Sequence, residues 1–284
     1  MSIAIKSLFF CLLLVGGFPL AACGGKSGGP VVLEDANKPK FAPKGNEGTL
    51  NGKIALTGEF KPTPLDMAAD AACANKNKGA VSEEIAAQGG KLQNVFIFLK
   101  EGQMSDGKKL ADVSFEAPAA EAKVDQIGCV YVPHVIGVRA GQTVSFYNSD
   151  ATVHNVNIQP RANDKYNKTQ AAGAAPITQV FPKAESAIRV KCNQHGWMSA
   201  WVNVLSHPFF AVSGADGSFA ISGVPPGKYT LVAWHEKLGE QTREITVGEK
   251  GAVTTDFTFD AGKTAALDKG SLTPGTFIVN WSHH

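Results

Sequence analysis

Seven residues near the middle of the chain, Cys192-Asn193-Gln194-His195-Gly196-Trp197-Met198, place a thiol, an imidazole and a thioether between two segments that both read as extended. In the run Ser186-Ala187-Ile188-Arg189-Val190-Lys191-Cys192, alternation puts Ile188, Val190 and Cys192 on one face and Arg189 and Lys191 on the other. Ser199-Ala200-Trp201-Val202-Asn203-Val204 is extended again, so the seven residues form a short loop joining two strands. A tight loop brings its side chains to one point. A fourth donor, His154, follows the strand-like run Gly141-Gln142-Thr143-Val144-Ser145-Phe146-Tyr147-Asn148, so the set is pinned at two strand ends. Taken singly, each of these residues would read as core, since Cys and Met are usually buried and a lone His is usually satisfied by hydrogen bonds. Together they are a ligand set of two imidazoles, one thiolate and one weak thioether.

The pattern Gly-x-x-Val-x-Phe-x-Asn-x-Asp from Gly141 to Asp150, then His154-Asn155-Val156, then Cys-x2-His-x2-Met from Cys192, resembles the small cupredoxins, and amicyanin most closely. The spacing of 38 residues between His154 and Cys192 suits that family, and the resemblance covers roughly residues 127–205. It implies a Greek-key β-sandwich holding one type 1 copper. His154, Cys192 and His195 would be equatorial ligands and Met198 the axial one, with Asn155 tying the two ligand loops together. A His edge near the surface would be the exit for the electron. One departure is Gly196, where the family usually carries a proline that stiffens the loop.

A second module flanks the first. Phe210-Ala211-Val212-Ser213-Gly214-Ala215-Asp216-Gly217-Ser218-Phe219-Ala220-Ile221-Ser222-Gly223 reads as a hairpin with Asp-Gly at its turn, and Val224-Pro225-Pro226-Gly227 then turns the chain into Lys228–His235. The Asp-Gly-x-Phe and Pro-Pro-Gly-x-Tyr signature resembles the transthyretin-like, or carboxypeptidase regulatory-like, β-sandwich, whose members are usually non-catalytic. Residues 48–100 contain two strand candidates, Gly48–Gly58 and Leu92–Lys100, around a polar, Ala-rich stretch, and they resemble the opening strands of such a sandwich. The copper segment is therefore either inserted within that sandwich, the favoured arrangement, or lies between two β units. The expected class is all-β, a cupredoxin Greek-key sandwich plus a second, transthyretin-like sandwich. The expected organisation is a signal over 1–22, a lipidated N-terminus and linker over 23–47, and a first β segment over 48–105. The cupredoxin follows over 118–206, a transthyretin-like segment over 207–260 and a tail over 261–284.

The N-terminus specifies the compartment. Lys6, the apolar run Leu8–Val15 and then Leu20-Ala21-Ala22-Cys23 read as an export signal, too short and too interrupted by Gly16, Gly17 and Pro19 to span a bilayer. Leu-Ala-Ala-Cys resembles the lipobox of bacterial lipoproteins, which implies lipidation of Cys23. Gly24 after it, rather than Asp, points to the cell envelope and the periplasmic face of an outer membrane. Residues 24–47, rich in Gly, Lys and Pro, would as a flexible coil span about 27 Å. Of five cysteines, Cys11 leaves with the signal, Cys23 takes lipid and Cys192 takes metal. Cys73 and Cys129 remain, and in an oxidising compartment they suggest a disulfide worth about 4 kcal/mol; two unpaired buried thiols are the alternative.

A formal charge of +2, falling to +1 without the signal, offers no electrostatic footprint for nucleic acid. There is no Gly-x-Ser-x-Gly, His-Glu-x-x-His or Walker-type loop, so the chain does not read as an enzyme. His134, His207 and His235 sit among apolar neighbours and read as packing or domain-contact residues, His235-Glu236 superficially mimicking an acid/base pair, and His283 and His284 read as tail. The leading expectation is a membrane-tethered blue copper protein passing single electrons between redox proteins. Copper delivery or storage, or a scaffold lipoprotein with a structural copper site, are the alternatives.

Overall fold

The computed structural model describes residues 37–263, and these form an almost entirely β structure of two packed sandwiches. The signal over 1–22, the lipobox with Cys23, most of the 23–47 segment, and the tail with His283 and His284 lie outside the described residues. Among the described residues no helix is long and apolar enough to cross a membrane.

The first sandwich is assembled from both ends of the described chain. In one sheet the strand Gly48–Thr57 is central, antiparallel to Ser218–Val224 and parallel to Ala252–Thr254 and Phe257–Asp260. The facing sheet runs Phe210–Val212, Phe96–Met104, Gly227–His235, Gly239–Val247. Alternation along Gly48–Thr57 buries Leu50, Ile54 and Leu56, which meet Leu92, Ile97, Leu99, Phe219, Ile221, Leu231, Phe257 and Phe259 in one core. That core includes the chain just before Gly48: the Phe41 amide donates to Ser114 O at 2.8 Å, and the Phe41 ring packs 5.0 Å from Phe115 and edge-on to Phe209. The docked structure thus begins inside the stretch read as linker, because an aromatic ring there has an apolar face to cover.

Between Phe96–Met104 and Phe210–Val212 the chain leaves to build the second sandwich. Its five-stranded sheet runs Tyr166–Gln170, His154–Gln159, Glu185–Lys191, Ser199–Leu205, Val135–Arg139. The facing sheet runs Ile177–Val180, Thr143–Asn148, Ala122–Gln126, Tyr131–Val132. Val124, Tyr131, Val144, Phe146, Val156, Ile158, Ile188, Val190 and Val202 fill the space between them. The second sandwich is thereby an insertion between strands of the first. A third apolar cluster, with Phe96, Phe98, Val135, Leu205 and Val232 at its centre, joins the two. Gly137 permits that junction, since a Cβ there would lie 2.5 Å from the Phe210 ring and 2.7 Å from that of Phe96.

One local expectation is corrected. Phe210–Val212 and Ser218–Val224 are not a hairpin: the first pairs with Phe96–Phe98 in one sheet and the second with Gly48–Lys53 in the other. The Ser213 amide donates to Val95 O at 2.9 Å, extending the pairing with Phe96–Met104, and its buried hydroxyl accepts from Val95 N and donates to Leu92 O, before the Asp216-Gly217 turn carries the chain to the other sheet. The strand leading to Cys192 also contains a register shift between Glu185 and Ile188. Ala187 there has φ 56° and donates its amide to Asn203 Oδ1 at 2.9 Å. Beyond the bulge, Ile188, Val190 and Cys192 are buried and Arg189 is exposed, in the alternation read from sequence.

Candidate metal centre

His154–Gln159 and Glu185–Lys191 are antiparallel neighbours, with Lys191 opposite Asn157, so His154 and Cys192 emerge at the same end of the five-stranded sheet. The loop after Cys192 closes on itself: the Met198 amide donates to His195 O at 3.0 Å and the Cys192 amide to Met198 O at 3.2 Å. This turns the His195 ring inward over Cys192. His154 Nδ1 then lies 3.0 Å from His195 Nδ1, and Cys192 Sγ lies 3.8 Å from His195 Nδ1. One donor atom from each of the three side chains falls within 4.8 Å of the others, forming a cluster that could hold a metal ion. Met198 is buried in the same core cluster as Cys192 at the far end of the loop.

The outer nitrogens decide what the inner ones can do. His154 Nε2 faces Asp150 Oδ2 at 2.9 Å, and His195 Nε2 faces Asp70 Oδ2 at 3.1 Å. An ionised carboxylate only accepts, which favours the hydrogen on each Nε2, and the two Nδ1 atoms face each other at 3.0 Å. Two buried acceptors at that distance repel, and a cation between them satisfies both. With a cysteine sulfur as the third donor and a buried thioether in the same core cluster, the donor set fits copper. Burial holds the His154 pKa below the ordinary histidine value against the opposing pull of Asp150, which keeps the ring neutral and able to ligate. The Thr152 hydroxyl, with the amides of Cys73 and Ala72 and the His195 ring, holds Asp70 at about 2 in spite of partial desolvation.

The side chains of the cluster are almost fully enclosed. His154, Cys192 and His195 are 0%, 3% and 5% exposed, and the chain between the first two long strands of the first sandwich covers His195. There Asp70 caps the short helix Ala71–Lys76, its Oδ1 accepting from the amides of Ala72 at 2.8 Å and Cys73 at 3.2 Å. Cys73 is bonded to Cys129, which anchors the helix to the second sandwich, and Cys73 Sγ lies 3.8 Å from His195 Nε2. Trp197 packs its ring 5.0 Å from His195 and donates Nε1–H to Cys129 O at 3.0 Å.

Asn155 Oδ1 accepts from the Asn193 amide at 3.2 Å, linking the strand of one candidate ligand to the loop of the others, while Asn155 Nδ2 donates to Asn167. The buried Tyr131 hydroxyl donates to Asn155 O. The other histidines lie elsewhere. His134, at the junction, pairs with Glu236 and faces Glu83 at 4.0 Å. His207 stacks on Phe209 and accepts from its amide, and His235 Nδ1 accepts from the amides of Lys237 and Leu238, so His235 and Glu236 do not act on each other. Asp70 and Thr152 were not named from sequence, and Asp150 and Trp197 entered only as positions of the quoted pattern and loop, without a role. The one local signal was Asp70 before an Ala-rich run, a helix N-cap pattern.

Comparison with known proteins gives a divided picture. A family model for the carboxypeptidase regulatory-like domain matches residues 199–260, from the last strand of the second sandwich through the closing strands of the first. No curated protein matches the chain. Among solved structures, amicyanin from Paracoccus versutus is 22% identical over 38% of this chain and 97% of its own, with a TM-score of 0.28. A purple cupredoxin from Nitrosopumilus maritimus is 19% identical over 30% of this chain and 99% of its own, with a TM-score of 0.26. A copper-containing nitrite reductase from Thermus scotoductus is 16% identical over 32% of this chain, with a TM-score of 0.29, and the match spans 26% of that enzyme.

Proposed function

We propose that this chain is a type 1 copper protein that carries single electrons between redox proteins in a bacterial cell envelope, tethered by lipid on Cys23. The observation that carries the reading is the convergence of His154 Nδ1, His195 Nδ1 and Cys192 Sγ in a buried cluster, with the two Nδ1 atoms facing each other. Bound copper would supply the Cu(II)/Cu(I) couple. The protein's part is to hold donors that do not rearrange: Cys192 and His154 sit at the ends of adjacent paired strands, His195 is locked by the loop's own hydrogen bonds, and Asn155 fixes the loop against the sheet. Burial of all three donors favours an ion that is kept over one that is handed on.

The test is reconstitution of the full chain with Cu(II), followed by absorption and electron paramagnetic resonance spectra. The expected result is an intense visible thiolate-to-copper band in the wild type that vanishes in Cys192→Ser. Equal colour in both would remove Cys192 from the site.

A further inference from the structure

Cys73 and Cys129 are each bound, through the backbone amide, to the carboxylate that holds one of the two metal-site imidazoles. Asp70 accepts from the Cys73 amide at 3.2 Å and from His195 Nε2 at 3.1 Å. Asp150 accepts from the Cys129 amide at 2.7 Å and from His154 Nε2 at 2.9 Å. The two half-cystines are bonded to each other, so disulfide, carboxylates and imidazoles form one continuous frame. Each carboxylate is fully engaged. Asp70 also accepts from Ala72 N at 2.8 Å and Thr152 Oγ1 at 2.8 Å, and Asp150 also accepts from Gly128 N at 2.7 Å.

We propose that Asp70 and Asp150 are a matched pair of positioning residues that fix both imidazoles as Nε2–H tautomers with Nδ1 turned inward, and whose negative charges bias the bound copper toward Cu(II). The first half follows from hydrogen-bond direction, because a carboxylate cannot donate and so dictates which ring nitrogen is bare. The second follows from Coulomb's law in a water-poor site, where each nearby anion stabilises the ion of higher charge more. Asp70 is the less predictable partner. It belongs to the covering segment and lies 125 positions from His195 in sequence, so covering the ring and holding its tautomer are one structural act.

The tautomer half stands without copper; the charge half rests on the proposed function. Long-range nitrogen–proton correlation spectra of the full-length, metal-free protein labelled at histidine nitrogen report the tautomers directly. Wild type is expected to show both rings as Nε2–H, Asp70→Ala to lose that state for His195, and Asp150→Ala for His154. A wild-type Nδ1–H form at either ring would overturn the proposal whether or not any variant folds. In the copper-loaded protein, Asp70→Asn and Asp150→Asn keep the shape and remove the charge. Each is expected to raise the midpoint potential by at least tenfold in the Cu(II)/Cu(I) ratio, about 59 mV for one electron, and to weaken Cu(II) binding roughly 10–100-fold. Unchanged potentials in both would overturn the charge half. Wild-type tautomers as expected in a protein that takes up no Cu(II) would support the positioning and overturn the copper reading alone.

Discussion

Replacing both half-cystines, Cys73→Ala with Cys129→Ala, tests whether the covering segment is held covalently or merely laid in place. The bond closes a loop of 56 residues, for which the chain-entropy relation gives about 4 kcal/mol at 25 °C. Little of this should be recovered by packing, because both side chains are at most 1% exposed and the substitution removes two sulfur atoms from a filled core. The helix Ala71–Lys76 has six residues and one buried side chain, Cys73 itself, so without the bond its hold on the second sandwich reduces to the packing of Leu65, Met67, Ala74 and Ala80 and to polar contacts. The polar contacts are Asp70 with Thr152 and His195, and Asn77 Nδ2 with Gly128 O at 2.9 Å. The double variant is preferred to either single one because Cys192, the free cysteine among the described residues, could otherwise exchange into a new bridge. The assay is urea unfolding of the metal-free chain at equilibrium. With a slope of about 2–3 kcal/mol per molar, a loss of about 4 kcal/mol lowers the midpoint by roughly 1.5 M. A midpoint within about 0.4 M of wild type at unchanged slope would refute the argument, since that slope makes it about 1 kcal/mol.

Met198→Leu and Met198→Gln should retain copper but shift its potential, because a weak axial donor tunes more than it holds; voltammetry of both decides, and identical potentials would exclude the axial role. Cys23→Ala should release the chain from membranes or block its processing, as read by fractionation, and a mutant still membrane-bound and normally processed would count against the lipid tether. His134 titrates at the junction: burial disfavours its charge, but the hydrogen bond and charge of Glu236, with Glu83, outweigh it and raise its pKa. Its contribution to stability is therefore fully present below the unfolded value of 6.5 and lost as pH rises through the raised folded value, and Glu236→Gln should flatten that alkaline limb in thermal melts across pH. Burial lowers His207 to about 3 and His235 to about 4, so these two give stability that is present above 6.5 and lost on acidification toward those values. An acid limb unchanged in His235→Gln would contradict that sign.

What the sequence disclosed and what it hid divide along the range of the interactions. The loop from Cys192 to Met198 was legible because its information is local: period-two alternation on both sides and three donor types inside seven residues. His154 was legible because an equally local strand ends just before it. The hairpin assigned across Asp216-Gly217 failed although its signal was local, because a turn dipeptide specifies a reversal of the chain but not the sheet that receives it. Here the strand before the turn pairs with Phe96–Phe98 and the strand after it with Gly48–Lys53, partners more than a hundred positions away. The cover on His195 was beyond reach for a different reason. Residues 60–86 carry almost no apolar period: Met67, Leu65, Ala74 and Ala80 meet the second core at irregular spacing, and the rest of their placement comes from one covalent bond and a few polar contacts to residues 51 to 125 positions away. Such contacts leave no pattern in a single chain. The same absence hides how deeply His195 is buried: a ligand motif specifies which atoms could meet a metal, whereas the exposure of the ring behind them is decided by whatever else the chain lays over it. A covering segment of this kind can therefore change how a ligand loop meets its surroundings without altering any residue of the loop.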